Sequence, residues 1–259
     1  LIYMSNISNA FKNGKAFIGF VTAGDPDFDS SLEIMTAMAN GGCDLIEIGI
    51  PFSDPIAEGP VIQEANLRSL AQGTTTDKVF ELTKKLSSRV DTPLVYMTYL
   101  NVLFKYGYDK FLQNAKDAGI SGVIVPDLPY EEKDELQSVA EKYDIDVISL
   151  IAPTSEDRIK MIASDAKGFI YTVSSMGVTG MRNEIKTDLQ SIVSHIKSVT
   201  DVPVAIGFGI NKPQQAKEFS AYADGVIVGS AIVNIVAEHG KDAPEYVFDY
   251  VKSMKDAIR

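Results

Sequence analysis

The sequence predicts a single (β/α)₈ barrel, a parallel sheet of eight strands closed on itself inside a shell of helices. Short apolar, β-branched runs recur eight times along 259 residues, with amphipathic stretches between them. Most of these runs are apolar on both faces, as strands must be when a filled barrel interior lies on one side and a helical shell on the other. The length fits as well, because α/β barrels routinely occupy roughly 250 residues as one unit. Residues 1–259 are therefore read as one barrel domain, with Leu1 to Tyr3, ahead of Met4, left out of the fold argument. A doubly wound sheet is the alternative. It usually has fewer parallel strands and a glycine-rich first turn, which Val21-Thr22-Ala23-Gly24-Asp25-Pro26 does not reproduce.

The elements follow in order. Strand one is Ala16 to Thr22 and strand two Leu45 to Ile48, with helical periodicity from Leu32 to Ala39 between them. The stretch from Pro51 to Thr75 is long for a βα loop and carries an extra helix, Val61 to Ala71. Thr76-Asp77 opens the helix to Arg89, and strand three is Pro93 to Met97. A helix from Asp109 to Ala118 stops at Gly119, ahead of strand four, Gly122 to Val125. Glu131 to Tyr143 leads to strand five, Asp146 to Leu150, and Ser155 starts a helix over Glu156 to Ala163. Strand six, Phe169 to Val173, runs into a second long connection, Ser174 to Lys186, headed by SSMGVTG and expected to be mobile. Leu189 to Ser198, strand seven (Val202 to Ile206), Pro213 to Phe219, strand eight (Gly225 to Val228) and Ala231 to Glu238 complete the set. Both long connections follow strand C-termini, the end at which barrel active sites lie.

Composition narrows the function classes. With 45% hydrophobic and 23% charged residues the chain reads as globular, and a net charge of −11 with no basic run argues against nucleic acid or an anionic membrane as partner. No apolar run approaches a membrane span, and the N-terminal residues lack a basic region followed by an apolar core. The lone cysteine, Cys43, cannot form an intrachain disulfide, which fits a reducing, cytoplasmic compartment. It reads as a small buried hydrophobe rather than a nucleophile, and two histidines, His195 and His239, are too few for a histidine-rich metal site. No metal and no cofactor are expected.

Two features carry chemistry. Residues 47 to 63, EIGIPFSDPIAEGPVIQ, place Glu47 at a strand end and Glu58 across a Pro/Gly-rich loop, the pairing that general acid/base chemistry uses. Taken alone, a glutamate at a strand end is more often a solvated residue or an ion-pair partner. The second feature is a phosphate cradle. GFGI (207 to 210) follows strand seven, and VGSA (228 to 231) follows strand eight and opens a helix, so Gly209, Gly229 and Ser230 can offer donors to an anion at a helix N-terminus. Gly180, in the loop after strand six, adds a third glycine.

EIGIPFSDPIAEGPVIQ, MTYLN (97 to 101), PDLP (126 to 129), GFIYTVSSMGVTG (168 to 180), GFGI and DGVIVGSAIV (224 to 233) together resemble the tryptophan synthase α subunit, in order and over essentially the whole chain. The resemblance implies a lyase that cleaves indole-3-glycerol phosphate to indole and glyceraldehyde 3-phosphate. It also implies a β-subunit partner in an α₂β₂ assembly. By the same resemblance Glu47 is the acid/base group and Glu58 the partner of the ring N–H. Phe20, Tyr99, Ile124, Tyr171 and Phe208 match positions lining the indole pocket, which are also ordinary barrel-core positions. Thr179 matches a loop threonine that closes over the site and meets Asp54, and Asp54 and Pro55 match a loop that contacts the β subunit. The chain departs from the family at DPIAEGP, where DPxADGP is usual: Glu58 stands in place of aspartate and reaches about one bond further. Met176 and Met181 also flank the closing loop where other residues are common.

Two other functions compete. The phosphate loops alone would suit a sugar-phosphate isomerase or epimerase, although the metal ligands or paired aspartates of such enzymes are not evident. A barrel serving mainly as an allosteric partner of a β subunit, weakly active because of Glu58, is the other. Indole release with and without a β subunit separates them.

Overall fold

The computed structural model describes residues 6–173, 182–207 and 209–259, with only the helical backbone over 182–188. All strand pairings are parallel. The strands are β1 (Ala16–Thr22), β2 (Leu45–Gly49), β3 (Leu94–Met97), β4 (Ile120–Ile124), β5 (Asp146–Val147), β6 (Ser149–Ile151), β7 (Ile170–Val173), β8 (Val204–Gly207) and β9 (Gly225–Val228). They form one sheet in the order β5-β4-β3-β2-β1-β9-β8-β7-β6.

β5 and β6 are two halves of the fifth strand of the sequence reading. β5 pairs only with β4, β6 only with β7, and the amide of Ile148 between them donates to the Val123 carbonyl at 2.9 Å. The two ends of the sheet are therefore joined through the chain at Ile148, which closes the barrel. Tilted strands in a barrel meet their two neighbours at staggered registers, so one strand can hand over from one neighbour to the other along its length.

The helices are α1 (Phe28–Gly41), α2 (Pro60–Ala71), α3 (Thr76–Ser87), α4 (Leu100–Tyr106), α5 (Tyr108–Ala118), α6 (Lys133–Ala140), α7 (Glu156–Ser164), α8 (Arg182–Lys197), α9 (Pro213–Ser220), α10 (Ser230–His239) and α11 (Ala243–Ala257). Ser155 caps α7 by accepting from the Arg158 amide and Gly119 closes α5, both as read, whereas α3 is capped one residue earlier than read, by Thr75 rather than Thr76, accepting from the Lys78 amide. α1 begins a turn before the expected Leu32, because the Asp27 side chain accepts from the Ser30 amide at 2.9 Å. The expected helix from Glu131 to Tyr143 is α6 flanked by 3₁₀ turns at Tyr130–Glu132 and Glu141–Tyr143.

Four elements stand outside the sequence reading: α4, α11, and 3₁₀ helices over Asn6–Phe11 and Gly240–Asp242. The first 3₁₀ helix places Ile7 and Ala10 with Ile18, Val95, Phe169 and other interior residues, so it plugs the N-terminal end of the barrel. α11 returns along the outside onto α1, burying Val247, Val251 and Met254. α2 is the extra helix expected after strand two, and the connection after strand six lies, for residues 174–181, outside the described residues.

Candidate active site

The upper barrel interior is where the apolar filling stops. Successive interior residues of β2 are Leu45, Glu47 and Gly49, because side chains alternate along a strand. Leu45 belongs to the interior cluster with Ile18 and Val95, so Glu47, two residues on, is carried up to the next layer. Glycines make room there for aromatic walls. A Cβ on Gly49 would meet the Phe20 ring at 2.6 Å, and one on Gly207 would meet the Tyr171 ring at 2.5 Å. Such distances are inside van der Waals contact, so the two rings lie over positions that have no side chain.

These walls enclose a cavity of about 1110 Å³ at the C-terminal end of the barrel. Its lining brings together Phe20, Glu47, Glu58, Tyr171, Gly209, Gly229 and Ser230. Tyr99 and Ile124 are not on its described wall. Ile124 is fully buried in the barrel interior, the other position its sequence context allowed. Tyr99 is the N-cap residue of α4, buried, with its hydroxyl accepting from the Ala57 amide at 3.2 Å and its ring 5.4 Å from that of Phe52. Thr179, Gly180 and Phe208, with Met176 and Met181, lie outside the described residues. Asp54 is exposed on the loop after β2, where the Ser53 hydroxyl donates to it at 2.5 Å, and Pro55 beside it is half-buried.

Glu47 is fully buried, and neither carboxylate oxygen has a hydrogen-bond partner among the described residues. Burial alone pushes its pKa up to about 8. At neutral pH the group is therefore mostly the neutral acid, its proton without an acceptor among the described residues. The neighbouring Tyr171 hydroxyl is raised well above its ordinary range, first by burial and then by the charge on Glu47.

Glu58 is half-buried, and its environment is different. Burial raises its pKa, while hydrogen bonds from the Asn66 side chain and the Tyr99 hydroxyl pull in the opposite direction. Asn66 Nδ2 donates to Glu58 Oε2 at 2.6 Å, and Gln63 Nε2 donates to the Glu58 carbonyl at 2.7 Å. Tyr99 in turn is pushed up to about 12, by burial first and by Glu58 among its other neighbours. α2, which starts two residues after Glu58 with Pro60 in its first turn, is fixed to the loop after β1. Arg68 makes two 2.9 Å hydrogen bonds to the buried Asp25 carboxylate, and Ser69 Oγ donates to the Ala23 carbonyl at 2.6 Å. Asn66, Arg68 and Tyr99's hydrogen bonds escaped the sequence reading, which treated Val61 to Ala71 by its apolar periodicity alone. Nothing local in VIQEANLRSLA marks Asn66 as the partner of Glu58, because that contact comes from the fold that returns α2 to the loop.

Beside α2, and packed against it, α10 begins at Ser230 with Gly229 as its N-cap residue. The first amides of a helix have no intrahelical acceptor, and here Gly229, Ser230 and Ala231 all line the cavity. Lysine and arginine are present on the described wall as Lys133 and Arg158, but both are engaged: Lys133 with Asp165 at 2.6 Å, Arg158 with Glu131 at 2.6 Å. Elsewhere Cys43 is buried and its thiol pKa is raised by that burial, His195 sits 3.3 Å from Glu156, and His239 stacks on Tyr246 at 3.6 Å.

A closed parallel barrel with a buried carboxyl of raised pKa, a second carboxyl on the same cavity wall and a helix N-terminus after the last strand defines a class: the (β/α)₈ enzymes that work on small phosphorylated substrates. Within that class, the sequence model of the tryptophan synthase alpha chain matches residues 7–259, and the chain belongs to that family. The tryptophan synthase alpha chain of Lacticaseibacillus casei is 49% identical over 98% of this chain and 96% of its own, and that of Caldanaerobacter subterraneus is 48% identical over 94% of each. Among solved structures, a chain of Mycobacterium tuberculosis tryptophan synthase superposes with a TM-score of 0.90 at 33% identity, covering 99% of both chains. The Legionella pneumophila tryptophan synthase alpha chain gives 0.87 at 34% identity, over 99% of this chain and 98% of its own. Among the described residues no helix is long and apolar enough to cross a membrane.

Proposed function

We propose that this chain is the lyase of its family, cleaving indole-3-glycerol phosphate to indole and glyceraldehyde 3-phosphate in tryptophan biosynthesis, and that it works with a β subunit that takes up the indole. The observation that carries the reading is Glu47, a fully buried carboxyl with no hydrogen-bond partner among the described residues and with its pKa pushed up to about 8, on the wall of a cavity shared with Glu58, Gly229 and Ser230.

The chemistry asks for that arrangement. Neutral indole is a poor carbanion, so the bond between ring carbon C3 and the glycerol side chain does not break until C3 is protonated. Glu47, neutral at rest, donates that proton and becomes a carboxylate. The ring is then an indolenine cation, and Glu58, ionised at the ring N–H, stabilises the positive charge. The Glu47 carboxylate next takes the proton of the side-chain hydroxyl. As that oxygen forms the aldehyde carbonyl, the C–C bond breaks and its electrons restore the aromatic ring. Glu47 ends protonated, so the cycle closes without metal or cofactor. Phe20 and Tyr171 form the aromatic walls for the indole, and Gly209, Gly229 and Ser230, with Gly180, hold the phosphate through backbone and hydroxyl donors. Tyr99 holds the Glu58 loop through the Ala57 amide and Ile124 fills the barrel interior, while the pocket-wall role of Phe208 and the closing role of Thr179 toward Asp54 are those the family resemblance implies. Residues 1–259 act as one catalytic unit, in the cytoplasm, within an α₂β₂ assembly.

Indole release from indole-3-glycerol phosphate, measured with and without a β subunit, tests the reading. No release under either condition would refute it. Release only at a rate indifferent to Glu58 would favour the role of partner barrel, which the longer Glu58 side chain keeps open.

A further inference from the structure

Asn66 is a buried polar residue that reaches this site through Glu58, and the reaction itself does not require it. It lies on α2, only 3% exposed, and a buried primary amide is costly unless its hydrogen bonds are made. Its Nδ2 donates at 2.6 Å to one oxygen of Glu58, eight positions back along the chain. Gln63, three residues before Asn66 and so on the same helix face, donates at 2.7 Å to the backbone carbonyl of the same glutamate. One face of α2 thus grips both the main chain and the carboxylate of Glu58. The far side of that loop is held by Tyr99, whose hydroxyl accepts from the Ala57 amide at 3.2 Å. α2 is itself anchored by the Arg68–Asp25 pair and by Ser69, so the grip is transmitted from the barrel wall.

Resting on the assignment of Glu58 to the substrate's ring N–H, we propose that Asn66 is a positioning residue for catalysis. It tethers one carboxylate oxygen of Glu58 and thereby presents the remaining acceptor capacity of that carboxylate to the ring in a single orientation. Glutamate has one more rotatable bond than aspartate, and an untethered glutamate at this position would spread its carboxylate over several rotamers. A misplacement of about 1 Å at a reacting centre can cost on the order of 10²-fold in rate. The Asn66 amide also favours the ionised form of Glu58 against the burial that opposes it, which is the form that stabilises a cation.

The test uses the full chain with its β subunit and reads indole release as kcat, KM and the pH profile of kcat. Asn66→Ala is expected to lower kcat about tenfold while KM changes less than threefold, because the substrate's main binding contacts stay in place. Its acid limb is expected to move to higher pH, since a donor to the carboxylate has been lost. In a Glu58→Ala background the same substitution should cost nothing further. Asn66→Asp, nearly isosteric and checked for folding by circular dichroism, should move the acid limb further still, because two carboxylates then face each other. An unchanged kcat and acid limb in both Asn66 variants would overturn the proposal, as would a loss of equal size with and without Glu58, the mark of a purely structural residue. If Glu58→Ala is itself as fast as wild type, the assignment of Glu58 falls and takes this proposal with it. If Glu58→Ala is slow and the Asn66 variants are not, only the proposal falls.

Discussion

At the scale of single residues, the two carboxylates are set apart by what surrounds them. Glu47 has only apolar burial and no hydrogen-bond partner among the described residues, so its proton is retained up to about pH 8, while Glu58 has an amide and a hydroxyl that stabilise its charge. Glu47→Gln is expected to abolish indole release while leaving substrate binding nearly intact, because the amide keeps the shape but cannot exchange a proton; equilibrium binding and turnover measured together check this. The same residue carries a stability consequence. Its folded pKa lies above the value of 4.5 of an exposed carboxyl, so between pH 4.5 and about 8 the unfolded chain ionises while the folded one stays neutral. Stability from this group is complete below pH 4.5 and is lost as pH rises toward 8. Glu47→Gln removes that dependence, so denaturant unfolding should show its stability relative to wild type improving by on the order of 3 kcal/mol between pH 4.5 and pH 7. A pH-independent difference would mean that Glu47 is not buried as an acid. For Glu58 the expectation is directional. Glu58→Ala should nearly eliminate release, and Glu58→Asp should slow it about tenfold, because the shorter side chain no longer reaches Asn66 from this loop. A Glu58→Asp variant faster than wild type would show that the loop is not adapted to glutamate.

At the scale of elements, the strands were legible because each is a short apolar run between turn signals, and strand eight was read with its observed ends, Gly225–Val228. The break at Ile148 was not legible. It arises from the pairing of one strand with two neighbours, and nothing local in Asp146 to Leu150 encodes it. α11 was legible in principle, since Val247, Val251, Met254 and Ile258 recur at helical spacing, but a reading that counts βα units stops once eight are found. Glu47, Glu58 and the glycine loops stood out because they break the apolar pattern at strand ends. Asn66 did not, because its meaning comes from the fold that returns α2 to the loop. Elements also decide which charges are free. α6 and α7 bring Lys133 and Arg158 to the cavity wall, but each is held by an acidic partner, whereas the N-terminus of α10 brings Gly229, Ser230 and Ala231 to the same cavity, where the first amides of a helix have no intrahelical acceptor. Lys133→Met and Arg158→Met should therefore change KM for the phosphorylated substrate less than about twofold, because a side chain already committed to an acidic partner adds little to substrate binding. A rise in KM of about tenfold in either variant would move the phosphate to the α6/α7 side.

At the scale of the whole molecule, the C-terminal end of the barrel has to serve both substrate and partner. The loop after β2 carries Ile56, 74% exposed, and α4 after β3 carries Phe104, 72% exposed. Both follow strand C-termini, so they stand at the cavity end of the barrel, and large side chains this open are usually left for a partner when they collect at a functional mouth. Ile56 is shared with the cavity wall, but Phe104 is not on its described lining, and its ring meets that of Tyr108 only edge-on at 6.4 Å. The loop that holds Glu58 therefore has the cavity on one side and the exposed Ile56 at the rim. Its carboxylate is fastened to α2, so a partner that pressed on the loop would act on catalysis by altering how Glu58 is held. Phe104→Ser separates the two roles. It removes apolar area from the rim without touching the Glu58 contacts, so indole release by the isolated chain should stay within twofold of wild type. Affinity for the β subunit should fall by about tenfold, the loss expected from one largely buried aromatic contact at an interface. Titration of the β subunit into wild type and variant, read as stimulation of indole release, measures both quantities. An unchanged midpoint would place the docking surface away from α4, and a slow isolated variant would show that Phe104 supports the site itself.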